Sequence, residues 1–170
     1  MARSRLGPAG AAWPISCFAK KGRYVLGTNR VQLAKQNIEA FNKGDWETFR
    51  ASLTPDNVYQ EFATQRKTQG PDAIVELSKG WRKAFPDVKG TIKKAVEGDD
   101  TVVLEIVWEG THSGELASAM GPIAPTYKHV TTPAVQVVTF KGDKIAETKH
   151  YFDLMSLLVQ IGAMPAPATA

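Results

Sequence analysis

Near its C-terminus the chain reads "HYFDLMSLLVQIG", His150 to Gly162, in which one carboxylate, Asp153, stands between Phe152 and Leu154 ahead of an apolar run. A charge buried without a partner is costly or shifts its pKa until it neutralises. An aspartate placed this way is therefore either an exposed helix cap, accepting from backbone N–H groups, or a working acid that loses and regains a proton. Other chemistry-bearing residues sit where strand alternation is otherwise apolar. In "TVVLEIVWEGTHSG" the parity of Val102, Leu104, Ile106 and Trp108 ends in His112. Gln136 shares its parity with Val130, Ala134, Val138 and Phe140, and Gln60 is flanked on its own parity by Val58 and Phe62. Buried polar groups need partners. Each of these residues alone reads equally as a satisfied core position. Taken with Asp153, however, Gln60, His112 and Gln136 point to a polar-lined cavity inside a curved sheet.

The elements that would position them follow from one change of period along the chain. From Asn29 the apolar positions Val31, Ala34, Ile38 and Phe41 recur at helical spacing, and Gly44 in "NKGD" can take a left-handed C-cap. "DWETFRASL" continues as a short helix with Asp45 as N-cap, broken by "TPDN". "GPDAIVELSKGWRKAFPD" predicts a third helix with Pro71 in its first turn and the stripe Ile74, Leu77, Trp81, Phe85. A short strand is expected near "NVYQEF", and three or four longer ones after the third helix. Among these, "KHVTTPAVQVVTFKGDKIAETKHYFD" forms a hairpin that turns at "KGDK". Helices first and a meander of antiparallel strands afterwards predict an α+β domain with helices covering a curved sheet.

Composition narrows the function classes. A chain of 170 residues with 43% hydrophobic content supports one domain with a substantial core. No run of about eighteen apolar residues occurs, so no membrane-spanning helix is expected. The single cysteine, Cys17, excludes an internal disulfide, and the three histidines show no ligand spacing, so neither a structural metal nor a redox role is expected. Of the 21 Lys and Arg, seven precede the first acidic residue, Glu39, which leaves 14 against all 17 Asp and Glu beyond it. The folded part is thus mildly acidic and carries no basic recognition surface for nucleic acid.

Five segments, "FNKGDWETFRASLTPDNV", "AFPDV", "EGTHSGEL", "GDKIAE" and "YFDLMSLLVQIG", occur in an order and spacing that resemble the SnoaL-like polyketide cyclases, also called ester cyclases, over roughly residues 31 to 162. The resemblance implies a cone-shaped α+β fold of the nuclear-transport-factor-2-like type with a deep pocket, and homodimers formed through the convex sheet face. It implies cofactor-independent aldol-type closure of a polyketide-like ester. Asp153 would be the general acid/base and His112 the partner of the developing oxygen, while Gln60, Trp108 and Gln136 line a site for a hydrophobic or aromatic ligand. A non-catalytic binding module with the same pocket, in which Asp153 only caps the helix "LMSLLVQIG", stays open beside it. An epoxide-hydrolase reading would need an Asp-Arg-Asp set, and no Arg falls on the buried strand parities.

Residues 1–28 are acid-free, contain Arg3 and Arg5, and are interrupted by Pro8, Gly10 and Pro14. They read either as a cleaved organelle-targeting segment or as a disordered extension, which makes the location cytoplasmic or, with a targeting segment, organellar. The domain is placed at residues 29–162, and "AMPAPATA", residues 163–170, is expected to be a flexible tail. Deleting residues 1–28 is expected to leave melting temperature and oligomeric state nearly unchanged. A fall of more than about 5 °C, on the order of 1 kcal/mol, would show that the segment docks on the domain.

Overall fold

The computed structural model describes residues 29–119 and 121–165. The proposed N-terminal extension and residues 166–170 of the proposed tail lie outside these.

The first three helices form where the caps and apolar stripes put them. In α1 (Arg30–Lys43) the Asn29 side chain accepts from the Gln32 backbone N–H, and Gly44 closes the helix at φ 69°. The short α2 (Trp46–Ala51) starts on Asp45, which accepts from the Thr48 N–H. α3 (Pro71–Ala84) carries Pro71 at its start, where a missing N–H costs nothing.

Six strands form one sheet in the order β2-β1-β6-β5-β4-β3. They are β1 (Leu53–Glu61), β2 (Arg66–Gln69), β3 (Lys89–Gly98), β4 (Thr101–Thr111), β5 (His129–Lys141) and β6 (Lys144–Phe152), and α4 (Leu154–Gln160) follows. The sheet is open and mixed: β1 runs parallel to β6, and every other pair is antiparallel. Helices on one side of a curved sheet give the α+β architecture expected from the sequence.

Two irregularities decide which side chains face inward. The β1–β6 register slips between Leu53 and Val58, so the segment "TPDN", expected to break the chain, is carried inside β1. Beyond the slip Asn57 and Glu61 are buried. The inward parity is therefore Asn57, Tyr59 and Glu61, and not that of Val58, Gln60 and Phe62. The second slip, between Thr139 and Phe140, sets the β5–β6 pairing so that Gln136 lies opposite His150.

The main core joins α1 and α2 to the concave face. Val102, Leu104 and Ile106 of β4 are fully buried there with Ala34, Ile38, Phe41 and Phe49. A second cluster around Phe85, Leu116, Leu157 and Ile161 closes the other end under α4. Ala163 and Met164 still donate backbone N–H groups to the Leu158 carbonyl, and Met164 packs on this cluster, although both fall in the segment expected to be a flexible tail. On the convex face Val96, Val103, Val135, Tyr151 and Phe62 stand exposed, with the Phe62 and Tyr151 rings stacked at 4.5 Å.

Gly90 and Trp108 are cross-strand neighbours, and a Cβ at Gly90 would lie 2.5 Å from the indole ring. The absent side chain lets one edge of the Trp108 ring approach β3 closely. Gly90→Ala is expected to displace the indole and to cost about 1–3 kcal/mol as an overpacked core does, measured by urea unfolding. An unchanged midpoint would show that the ring moves freely.

Candidate active site

Between the concave sheet face and α1, α2 and α3 lies a cavity of about 100 Å³, walled by Phe41, Phe49, Ile74, Trp81 and Phe85 among others. Its sheet wall is different in character. Thr132 and Gln136 of β5, Thr148 and His150 of β6, Asn57 and Tyr59 of β1 and Trp108 of β4 all line it. An apolar chamber with polar groups gathered on one wall is the usual make-up of a small-molecule site.

At the centre of that wall is His150. Its Nδ1 lies 2.6 Å from the Tyr59 hydroxyl, whereas its Nε2 is buried without a partner. Burial lowers the imidazole from its ordinary value of 6.5 to about 4, so the ring is neutral at pH 7. Burial, and next the charge of Glu61, hold the Tyr59 hydroxyl well above its ordinary value and therefore protonated. Glu61 is itself fully buried, accepting from Trp81 Nε1 at 3.1 Å and from the Thr64 hydroxyl at 2.5 Å. Trp108 Nε1 and Thr132 Oγ1, on neighbouring strands, are also buried and unpartnered.

The residues singled out from sequence are divided by this geometry. Trp108 and Gln136 line the cavity. Gln60 does not: it lies on the opposite face of β1, paired in register with Lys67 and Lys149. Its apolar neighbours Val58 and Phe62 belong to the convex side, because the inward positions of this strand are polar. His112 is fully buried but stands outside the cavity wall, with its ring 5.2 Å from Phe85 and its Nδ1 3.1 Å from the Thr126 hydroxyl. Burial lowers its pKa.

Asp153 is exposed and caps α4, accepting from both the backbone N–H and the hydroxyl of Ser156. These bonds hold its carboxyl below the usual range, as a stable carboxylate, and it lines no part of the cavity. His150 and Tyr59 were missed by the sequence reading. The available signal was the alternation Thr148, His150, Phe152 along β6, whose first two residues are buried. Among the described residues no group of three or more His, Cys, Asp and Glu could hold a metal ion, and no helix is long and apolar enough to cross a membrane.

The depressed His150 value makes stability depend on pH. Above about pH 6.5 neither the folded nor the unfolded chain holds the proton. As pH falls from there toward about 4, only the unfolded chain binds it, so stability is lost over that window. The loss from this one group amounts to about 1.4 kcal/mol per pH unit at most. Urea titrations over this range are expected to show a steeper decline for the natural chain than for His150→Phe, and equal slopes would count against a buried neutral ring.

Comparison with known proteins agrees with this architecture. No curated protein matches the chain by sequence. AclR of Streptomyces galilaeus, a proposed hydroxylase, superposes with a TM-score of 0.70 at 27% identity, over 82% of this chain and 89% of its own. A proposed SnoaL-like polyketide cyclase of Jannaschia sp. CCS1 superposes at 0.74 with 18% identity, over 84% and 98%. A protein of ketosteroid isomerase-like fold from Catenulispora acidiphila, solved with trimethylamine, superposes at 0.67 with 21% identity, over 82% and 98%. The last two establish the fold alone. The sequence pattern of one family, however, matches residues 31–161, most of the chain and all of the elements just described, and on that match the chain belongs to the SnoaL-like polyketide cyclases.

Proposed function

We propose that this chain is a cofactor-independent pocket protein that performs SnoaL-like cyclase chemistry, the intramolecular aldol-type closure of a polyketide-like ester, in the cavity beneath the sheet. The observation that carries the reading is His150, a buried ring with one nitrogen tied to Tyr59 and the other unsatisfied on the cavity wall. A buried polar atom without a partner costs about 1–3 kcal/mol, and a ligand oxygen placed there recovers that cost. The aromatic walls suit a hydrophobic or aromatic ligand, with Gln136 and Trp108 orienting it. Aldol closure needs a proton taken from an activated carbon and charge accommodated on the oxygen of the attacked carbonyl. In this reading His150 serves the oxygen, in place of His112, and Glu109, the carboxylate on the cavity wall, takes the proton from carbon and returns it to the new alkoxide, in place of Asp153.

A second reading, a non-catalytic binding module, draws on a different observation. The one acidic residue lining the cavity is Glu109, which is exposed, so no carboxylate is enclosed with the ligand. The exposed apolar stripe of the convex face supports, in either reading, a homodimer formed through that face.

Two substitutions separate the readings, assayed with a panel of polyketide methyl esters and a parallel ligand titration. His150→Asn keeps an amide where Nδ1 meets Tyr59 and removes Nε2. Under the cyclase reading it is expected to lower turnover by roughly 100-fold or more, while Asp153→Asn, which caps equally well, leaves turnover and stability unchanged. Tight binding with no turnover by the natural chain anywhere in the panel would establish the binding module, and a large loss of turnover in Asp153→Asn would return the chemistry to that carboxylate.

A further inference from the structure

Two ring nitrogens on the cavity wall lack partners, and the chemistry of each ring determines what it offers. Trp108 Nε1 can only donate. The edge of the indole nearest Gly90 carries Cε3, Cζ3 and Cη2. That edge is remote from the nitrogen, so Nε1 is turned away from Gly90. For His150 the proton position follows from its contact with Tyr59, 2.6 Å away. A phenol is a much stronger donor than a neutral imidazole N–H, and a bare ring nitrogen is a much stronger acceptor than a phenol oxygen. Tyr59 therefore donates to Nδ1. A neutral imidazole carries one proton, which is left on Nε2.

Glu61 reinforces this assignment. It is the register partner of His150 on β1 and is fully buried, and its negative charge opposes ionisation of the Tyr59 hydroxyl. The phenol keeps its proton, and the donor direction of the Tyr59–His150 bond is set. The charged and titratable groups around His150 are thus Glu61 and Tyr59 on β1, with Arg66 beyond Glu61 on β2 acting more weakly on Tyr59 in the opposite sense; Gln136 on β5 and Trp108 on β4 are neutral.

We infer that Trp108 Nε1–H and His150 Nε2–H form a two-donor subsite for a single ligand oxygen that carries or develops negative charge, such as an enolate or a phenolate. The two rings are neighbours, 6.1 Å apart between centroids at an interplanar angle of 61°, and both unpartnered nitrogens belong to residues that line the same cavity. Thr132 Oγ1, unpartnered and opposite Trp108 in register, stands beside the pair. Donors fixed before the ligand arrives, in a chamber of low dielectric constant, stabilise a forming oxyanion without having to reorganise. Both donors are neutral, so the ligand brings the charge. The subsite deepens the reading above and rests on this cavity being the ligand site, but it makes no use of turnover.

Two measurements on the full chain test it. With nitrogen-15 in the histidines, long-range proton–nitrogen spectra, assigned by comparison with His112 and His129 variants, are expected to show a pyridine-like Nδ1 and a pyrrole-like Nε2 for His150. A pyridine-like Nε2 overturns the inference without any variant having to fold. Next, 4-nitrophenol is titrated into the protein below the probe's own pKa and followed by absorbance. It is expected to bind as the phenolate, and Trp108→Phe, which keeps an aromatic ring against Gly90, is expected to weaken binding at least 10-fold and to reduce the ionised fraction. Binding as the neutral phenol, no binding, or equal binding by Trp108→Phe each overturns the subsite. If the spectra and the phenolate result hold while the ester panel shows no turnover, the cyclase reading alone fails.

Discussion

The parallel pairing of β1 with β6 is the constraint from which the rest of the site follows. It sets Tyr59 level with Thr148 and Glu61 level with His150, and the Tyr59 hydroxyl reaches along its neighbour to the imidazole. The slip between Leu53 and Val58 is bridged by Asn57, whose side-chain amide donates to the Ile145 carbonyl at 2.6 Å, and by the Ile145 N–H bonded to Ser52. Without that anchoring a shift of one residue would carry Tyr59 and Glu61 to the convex side. His150 would then lose the group that orients it, and the polar wall would lose its β1 members, Asn57 and Tyr59.

Gathering polar groups on one buried wall works against stability. His150 Nε2, Trp108 Nε1, Thr132 Oγ1 and Asn57 Oδ1 are all buried and unsatisfied, and each contributes a penalty of about 1–3 kcal/mol. The offset comes from the adjoining core, where Val102, Leu104, Ile106 and Ile145 are wholly or almost wholly buried. Full burial of a side chain of this kind stabilises by about 1.5–3 kcal/mol. The aromatic shell adds geometry to that burial, with Phe41 edge-on to both Trp108 and Trp46. Polar strain and apolar support share the same strands, and the same low dielectric that makes the orphans costly makes them strong toward a ligand.

Much of the scaffold was legible because its signals are local. Caps at Asp45 and Gly44, the proline opening α3, the alternation of β4 and the turn at Gly142 each depend on a few adjacent residues. The family was legible from five short motifs for the same reason. The site was only half legible. Trp108 and Gln136 lie on strands whose inward face is plainly apolar, and alternation found them. On β1 the apolar residues face outward, so the same rule selected Gln60 and passed over Tyr59. The pairing of Gln136 with His150 depends on a slip between Thr139 and Phe140, and nothing in the turn "KGDK" announces it. His112 satisfied the parity rule, yet it lies past the end of β4, where the chain turns into the second core cluster.

Asp153 bears on how such chains are recognised from sequence. Its carboxylate accepts from Ser156 and starts α4, and it belongs to the motif "YFDLMSLLVQIG". An acceptor at that position is favoured at the start of a helix, whatever the cavity beneath it holds. A search keyed to this aspartate therefore collects proteins that share a final helix. Proteins grouped instead by the residues standing at Tyr59, Trp108 and His150 would be sorted by what lines the cavity.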